Sequence, residues 1–534
     1  MPSIALSQAL PSSPPQPLNI NALTDWGEDD RPRVASDGFG NWVAVWASQD
    51  SLSDTVDGFD YDIFVSRSSD HGETWTHPEA LNSDATTDGG TDDWSPKIAT
   101  DYLGNWLVAW SRGDGIAGVQ GRDIDILLAR SVDNGVTWTA PISVNPDADI
   151  DTGSDDLYEI LTDGDGTWMV VWSWLENQSA AIAGDRDVYV SRSLDLGDSW
   201  SVPLRLNTNF SPPGTYWQTN ESMSLASNGA DGWMVTWSQM SNESVVCVYT
   251  EDDGVTWAAP LEITSTSGFR PGSSVAYDYD GGWIVSVEDQ DELMEQPGAR
   301  GVVRLYRSAD SGSSWSTLSP DFYPPDGEFD ILEHTLSVAP DGALVVAWTT
   351  PTGDDIDIWA SYSRDRGLSW SVPGPLNSNW IEDGDEADDR YPFIANDGNG
   401  NWVAVWEVIR GIGMLADAGD ALTSRWVLRK QDGGSDSCFI ATAAYGTPLA
   451  SELKSLRQFR DVRLMQNSLG SEFVDAYYRL SPSLAEYVAA RPVAKSLVRF
   501  LLALLTSLPG IATFLCGFTA TSAWWIWIYR RHFE

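Results

Sequence analysis

The chain has 534 residues, with 78 acidic against 31 basic side chains, and its net charge of −47 excludes a nucleic-acid binder working through a basic face. A hydrophobic fraction of 42% with 28 tryptophans supplies a packed core and excludes wholesale disorder. Cys247, Cys438 and Cys516 show no CxxC or Cys/His spacing, and His71, His77, His334 and His532 are scattered, so disulfide-scaffold, zinc, redox-pair and histidine-triad chemistry are not signalled.

Residues 1–16 read as a disordered N-terminal segment. They have no charged n-region and no long apolar core, although Ile4–Ala9 resembles the end of a signal peptide. From residue 17 to 432 the chain repeats itself. In the first unit Arg33–Ser36 is a short β-prone run, Asp37–Asn41 is turn chemistry, Trp42–Trp46 is a second strand, Asp62–Arg67 a third and Ala80–Asn82 a short fourth. The second strand is apolar on both faces and must be covered on both. It recurs at Trp106–Trp110, Trp168–Trp172, Trp233–Trp237, Trp283–Val287, Leu344–Trp348 and Trp402–Trp406. Seven four-stranded antiparallel units stacked around an axis meet that demand, which is the architecture of a seven-bladed all-β propeller. The seventh unit lacks a fourth strand, and Pro17-Leu18-Asn19 resembles the unit endings Pro203–Asn207 and Pro375–Asn377. The N-terminal segment is therefore expected to close the ring and cover its free edges.

Between the third and fourth strands lies Ser-x-Asp-x-Gly-x-Thr/Ser-Trp, six times, with Thr250 opening the fourth copy. Its aspartates are Asp70, Asp133, Asp195, Asp252, Asp310 and Asp365, 55 to 63 residues apart. The carboxylate and hydroxyl can accept backbone N–H bonds within the turn, glycine supplies φ > 0 and tryptophan packs between blades. These copies resemble the Asp-box repeats of the sialidase-like propellers. The resemblance implies an architectural role for the boxes, away from any catalytic centre. It also implies, for an active member, three arginines gripping a carboxylate, a tyrosine nucleophile relayed by glutamate, and an aspartate as acid/base. Arg390-Tyr391-Pro392 is similar to the family's Arg-Ile-Pro motif, and Arg31-Pro32 and Arg270-Pro271 take the same place in the first and fifth units. Arg31, Arg270 and Arg390 are accordingly the expected substrate-binding residues, through forked guanidinium geometry. Local pairing with Asp29-Asp30 and Asp388-Asp389 is the plainer alternative for two of them. Asp54, Asp57, Asp417 and Asp420 are the catalytic candidates, and no Tyr/Glu pair stands out.

Two acidic runs, Asp88–Asp93 and Asp147–Asp156, have the oxygen density that Ca²⁺ prefers, without full EF-hand spacing. Asp147, Asp149, Asp151 and Asp155 are the candidate ligands in the second, against the alternative of a solvated acidic loop.

Residues 1–437 carry a net −51 and residues 438–534 a net +4, so a domain boundary is placed near Gly433-Gly434-Ser435. Cys438-Phe439-Ile440-Ala441-Thr442-Ala443-Ala444-Tyr445-Gly446 resembles the CFI-box of a C-terminal module on prokaryotic surface proteins. Helical stripes after Thr447-Pro448 and Ser481-Pro482 predict a small helical module over 438–508. Residues 510–529 are uncharged, about 30 Å as a helix at about 1.5 Å per residue, and end in an aromatic belt before Arg530-Arg531. A membrane-spanning helix with a cytoplasmic C-terminus and an extracytoplasmic propeller is expected. The functional expectation is a monomeric, surface-anchored propeller that binds an extracellular glycan or protein through its channel or rim. Exo-sialidase activity and a structural role in the cell envelope are the alternatives.

Overall fold

The computed structural model describes residues 13–18, 27–50, 52, 60–88, 90–113, 124–145, 153–175, 186–207, 220–239, 243–266, 272–290, 301–324, 331–352, 355–376, 387–410 and 420–428. All of these belong to one of two compact units, that of Met1–Asp436 with Thr447–Leu449. They form strands, turns and bends, with no helix among them. No helix long and apolar enough to cross a membrane occurs among the described residues. The expected CFI-box module and the span 510–529 lie outside them.

The strands are β1 (Gln16–Pro17); β2–β5 (Asp29–Ser36, Trp42–Ser48, Asp62–Ser68, Glu79–Ala80); β6–β9 (Asp93–Thr100, Trp106–Gly113, Ile124–Ser131, Ile142–Ser143); β10–β13 (Ser154–Thr162, Trp168–Leu175, Arg186–Ser193, Leu204–Arg205); β14–β17 (Asn220–Ser227, Trp233–Gln239, Ser244–Thr250, Leu261–Ser265); β18–β21 (Ser273–Tyr277, Trp283–Gln290, Gly301–Ser308, Ser316–Phe322); β22–β25 (His334–Val338, Leu344–Thr352, Asp355–Ser363, Gly374–Pro375); and β26–β28 (Ala387–Asn396, Asn401–Arg410, Asp420–Val427). Hydrogen bonding groups them into five four-stranded sheets and one of eight, the latter made of β6–β9 and β10–β13 joined by the single parallel pair Ser154–Ile124. The first strands follow one another in a circle, β2 beside β6, then β10, β14, β18, β22 and β26, which returns to β2. The fold is of β-propeller type.

Two-sided apolarity of the second strands explains the stacking. All seven residues of β3 are buried. Val43, Val45 and Ala47 pack with Trp106, Val108 and Trp110 of the next sheet, while Trp42, Ala44 and Trp46 pack with Val403 and Val405 of the last. Each sheet thus buries both faces only because it has a neighbour on both.

The Asp-boxes form closed local networks. In the second, Ser131 Oγ donates to Asp133 Oδ1 at 2.8 Å and accepts from Gly135 N at 2.9 Å, and Asp133 Oδ1 also accepts from Thr137 N at 2.9 Å. Gly135 has φ 75°, and a Cβ there would stand 2.9 Å from Val43 of the preceding sheet, so glycine is required by conformation and by space alike. Trp138 packs into the same inter-sheet core.

Both ends of the described chain meet at β28. Gln16 pairs with Thr423 and Pro17 with Leu422, Ser13 N donates to Arg425 O at 2.8 Å, and Leu18, fully buried, donates its N–H to Ala421 O at 2.9 Å. The paired segment starts earlier than the sequence boundary at residue 17, because backbone from Ser13 onward already finds partners along the free edge of β28.

Candidate functional site

At one level of the ring, inner strands carry a bulge with a non-glycine residue in left-handed conformation. Register slips between Asp30 and Arg33, Trp94 and Lys97, and Arg390 and Phe393, with φ of 49° at Arg31, 54° at Ser95 and 53° at Tyr391. Each of these residues precedes a proline, which itself disfavours helical conformations. A strained backbone of this kind costs on the order of 1–3 kcal/mol per residue and concentrates at functional sites. A buried aspartate lies just before the first and the last of these bulges: Trp46 Nε1 donates to Asp29 at 3.0 Å and Trp406 Nε1 to Asp389 at 2.8 Å.

The three bulges place their side chains side by side. The Arg31 guanidinium lies 5.1 Å from the centroid of the Tyr391 ring and donates through Nη1 to Ser95 Oγ at 2.8 Å. Its side chain remains 42% exposed. Burial opposes the Arg31 charge, yet Asp30, Tyr391 and Glu407 outweigh it and hold the pKa above its ordinary value. Glu407, opposite Arg390 in register, accepts from Arg31 N at 3.4 Å. Burial, and then the Asp30 carboxylate beside it, push the Glu407 carboxyl well above the usual range. On the other flank Glu333 accepts from the Thr349 hydroxyl, and burial raises its pKa against the pull of Thr349, Arg390 and Arg31. The arrangement offers a positive fork, an aromatic wall, hydroxyls and a carboxyl of raised pKa at one mouth.

Arg31 and Arg390 therefore belong to one neighbourhood, but not equally. Arg390 Nη2 is engaged by Asp388 at 3.1 Å, the local pairing that its sequence context allowed, whereas Asp30 stands 3.6 Å from Arg31 Nε. Arg270, Asp54, Asp57, Asp417, Asp147, Asp149 and Asp151 lie outside the described residues. Asp420 is the buried first residue of β28, at the register position that Asp62 takes in β4. Asp155 accepts from Asn145 Nδ2 at 2.8 Å, as Asp93 does from Asn82 at 2.9 Å, so it acts as a joint between neighbouring units.

Among the described residues, two clusters of carboxylates have the closeness a cation would need: Asp84, Asp88 and Asp93, and Asp60, Asp62 and Asp88, each with oxygens within 4.8 Å of one another. The first is already filled by Arg112, which bonds Asp84 and Asp93 at 2.6 Å each and stands 3.5 Å from Asp88. In the second, Asn82 Nδ2 donates to Asp62 at 2.7 Å. Sequence reasoning passed over Tyr391, Ser95, Glu333 and Glu407. Tyr391 stood inside the Arg-Tyr-Pro string itself; the others carry no local signal.

No family model matches the chain. It is similar to the sialidase of Clostridium perfringens, 26% identical over 216 residues that cover 36% of this chain and 54% of that protein. It is also similar to the sialidase of Paraclostridium sordellii, 24% identical over 217 residues, 37% of this chain and 50% of that one. The chain thus spans about half the length of the curated relatives it matches. Among solved structures, the Hadza microbial sialidase Hz136 matches with a TM-score of 0.42 and 18% identity over 60% of this chain and 63% of the other. The Trypanosoma rangeli sialidase in complex with 2,3-difluorosialic acid gives 0.38 and 16% over 74% and 54%, and a protein of unknown function from Dyadobacter fermentans 0.47 and 12% over 79% and 100%. The curated relatives it resembles are thus sialidases, and its own strand order makes a fold of β-propeller type.

Proposed function

We propose that this chain is a seven-bladed, sialidase-like propeller that recognises an acidic glycan through the carboxylate of its sugar, with residues 510–529 holding it to a membrane and the propeller outside. The observation that carries this reading is Arg31, held on a strained bulge between the Tyr391 ring and Ser95 with its guanidinium still partly exposed. A planar fork fixed in that way is suited to a carboxylate, and the ring beside it to the apolar face of a sugar. The strongly acidic remainder of the chain repels competing polyanions, so recognition depends on this local cation. Sialic acid, named by the sialidases similar to this chain, is the carboxylated sugar to try first.

A second reading, exo-sialidase, is favoured by Glu407: a carboxyl whose pKa is raised beside Arg31 is suited to carry a proton to a leaving oxygen. The experiment is titration of the full-length protein with a sialic-acid glycoside and its neutral, desialylated counterpart, with free sialic acid measured in parallel. Saturable binding of the acidic glycoside alone, lost in Arg31→Ala, supports recognition; turnover lost in Glu407→Gln supports hydrolysis. Equal behaviour of the two glycosides would sink both readings.

A further inference from the structure

Beyond the Arg31 level, the inner strands present a second layer of side chains at one register position. Arg33 pairs with Val45, Lys97 with Ala109, Glu159 with Val171 and Phe393 with Val405, each the third residue after the leading tryptophan of its second strand. Since β26, β2, β6 and β10 follow one another around the ring, Phe393, Arg33, Lys97 and Glu159 form an arc in that order. The Arg33 guanidinium lies 4.9 Å from the Phe393 ring centroid. Its Nη1 donates to Pro32 O at 2.9 Å, while its buried Nε has no partner among the described residues.

Lys97 is the unusual member. It is only 7% exposed, and the Glu159 carboxylate is the charge that most favours its ammonium form. Buried ammonium groups are ordinarily paired, because desolvation without a partner costs several kcal/mol. Here the charges that act on it include two more cations, Arg33 and Arg31, against Glu159 and, more weakly, Asp30. Glu159 cannot serve both Lys97 and Arg33 fully, and one of its oxygens already accepts from Ile160 N at 3.1 Å. Burial first, and then Arg33, push the Lys97 amine well below its ordinary range, with Glu159 pulling the other way. In a chain of net charge −47, a cluster in which Lys97, Arg33 and Arg31 share the Glu159 and Asp30 carboxylates is a place where an entering anion would favour the ammonium form of Lys97.

We propose that Lys97 and Arg33 form an anion site inside the ring, in which a small oxyanion is gripped between ammonium and guanidinium against the Phe393 wall. Phosphate, sulfate and a carboxylate group share the required chemistry, and the site does not depend on glycan recognition at Arg31.

The test uses the full-length protein and isothermal titration with inorganic phosphate, with sulfate, and separately with free sialic acid. Phosphate or sulfate binding should weaken at least about tenfold in Lys97→Met and in Arg33→Met, the loss expected for one charge-assisted contact. It should persist in Arg31→Ala, and tighten in Glu159→Gln, because removing the competing carboxylate frees both cations. Binding of sialic acid alone, lost in Lys97→Met, would assign the same site to the carboxylate of a larger ligand. Should Lys97→Met fail to fold, Lys97→Arg decides, since it keeps the charge and must retain binding. No binding of any of the three anions, an unchanged affinity in both methionine variants, or weaker binding in Glu159→Gln would each overturn the proposal.

Discussion

Arg31 stacks on Tyr391 across the seam where the first unit of the ring meets the last, with 5.1 Å between the guanidinium carbon and the ring centroid. The contact joins closure of the fold to the candidate site. Tyr391→Ala should weaken acidic-glycan binding about fivefold, the value of about 1 kcal/mol for a partly exposed cation–π pair, whereas Tyr391→Phe should leave it unchanged. Calorimetric titration of the two variants checks this.

Ring closure rests on Leu18 as well as on strand pairing. Leu18 is fully buried among Trp42, Phe64 and Val403. Leu18→Ala should cost about 2–5 kcal/mol and lower the melting temperature of the whole propeller in one transition, read by circular dichroism. A separate early transition with the remainder unaffected would mean that the seam is not part of the cooperative unit.

The Asp-boxes predict an acid limit. Hydrogen bonds from Thr250 and Thr256 hold the Asp252 carboxyl down to about 2, and the other five box aspartates are likewise depressed. Groups with a lowered folded pKa contribute stability above the unfolded value, near 4, and lose it as pH falls through the folded value. The melting temperature should therefore drop between pH 4 and pH 2, and Thr256→Val, which raises the folded value of Asp252, should lower the melting temperature above pH 4 and make that drop smaller.

Asp62 has the opposite sign. Burial, against the Asn82 hydrogen bond and reinforced by Asp60, Asp88 and Asp93, pushes its carboxyl up to about 8. A raised folded pKa gives stability that is complete below about pH 4 and is lost as pH rises toward 8. Asp62→Asn should melt a few degrees higher than the parent at pH 8, with the gap closing at pH 4. An unchanged gap across that range would show that Asp62 is ionised throughout.

Residues 510–529 should keep the full-length protein in the membrane fraction through alkaline carbonate extraction, because burying about twenty apolar residues in lipid is effectively irreversible. Recovery of the intact chain in the carbonate supernatant would contradict the anchor.

The strand pattern and the box turns were legible because their causes are local. Ser131, Asp133, Gly135 and Thr137 bond one another within seven positions, so the motif alone specifies the turn. The two-sided apolarity of Trp42–Trp46 likewise demands a neighbour on each face, wherever that neighbour comes from. The closing role of the N-terminal segment was legible by the likeness of Pro17-Leu18 to other unit endings, although the pairing reaches back to Ser13.

Those properties belong to this amino-acid sequence by itself: β-strands, repeating turns, stacked sheets and an acidic exterior with Arg31 and Arg390 at equivalent strand starts. Only the tertiary structure decided that Arg31 meets Tyr391 and Glu407, the latter 376 positions away, that Arg390 is engaged by Asp388, and that Lys97 and Arg33 share one layer. The reason is register. A bulge shifts which side chains share a level, and circular closure sets which strands are neighbours, so contacts between the first and last units follow from the sum of all intervening pairings and from no single stretch of sequence.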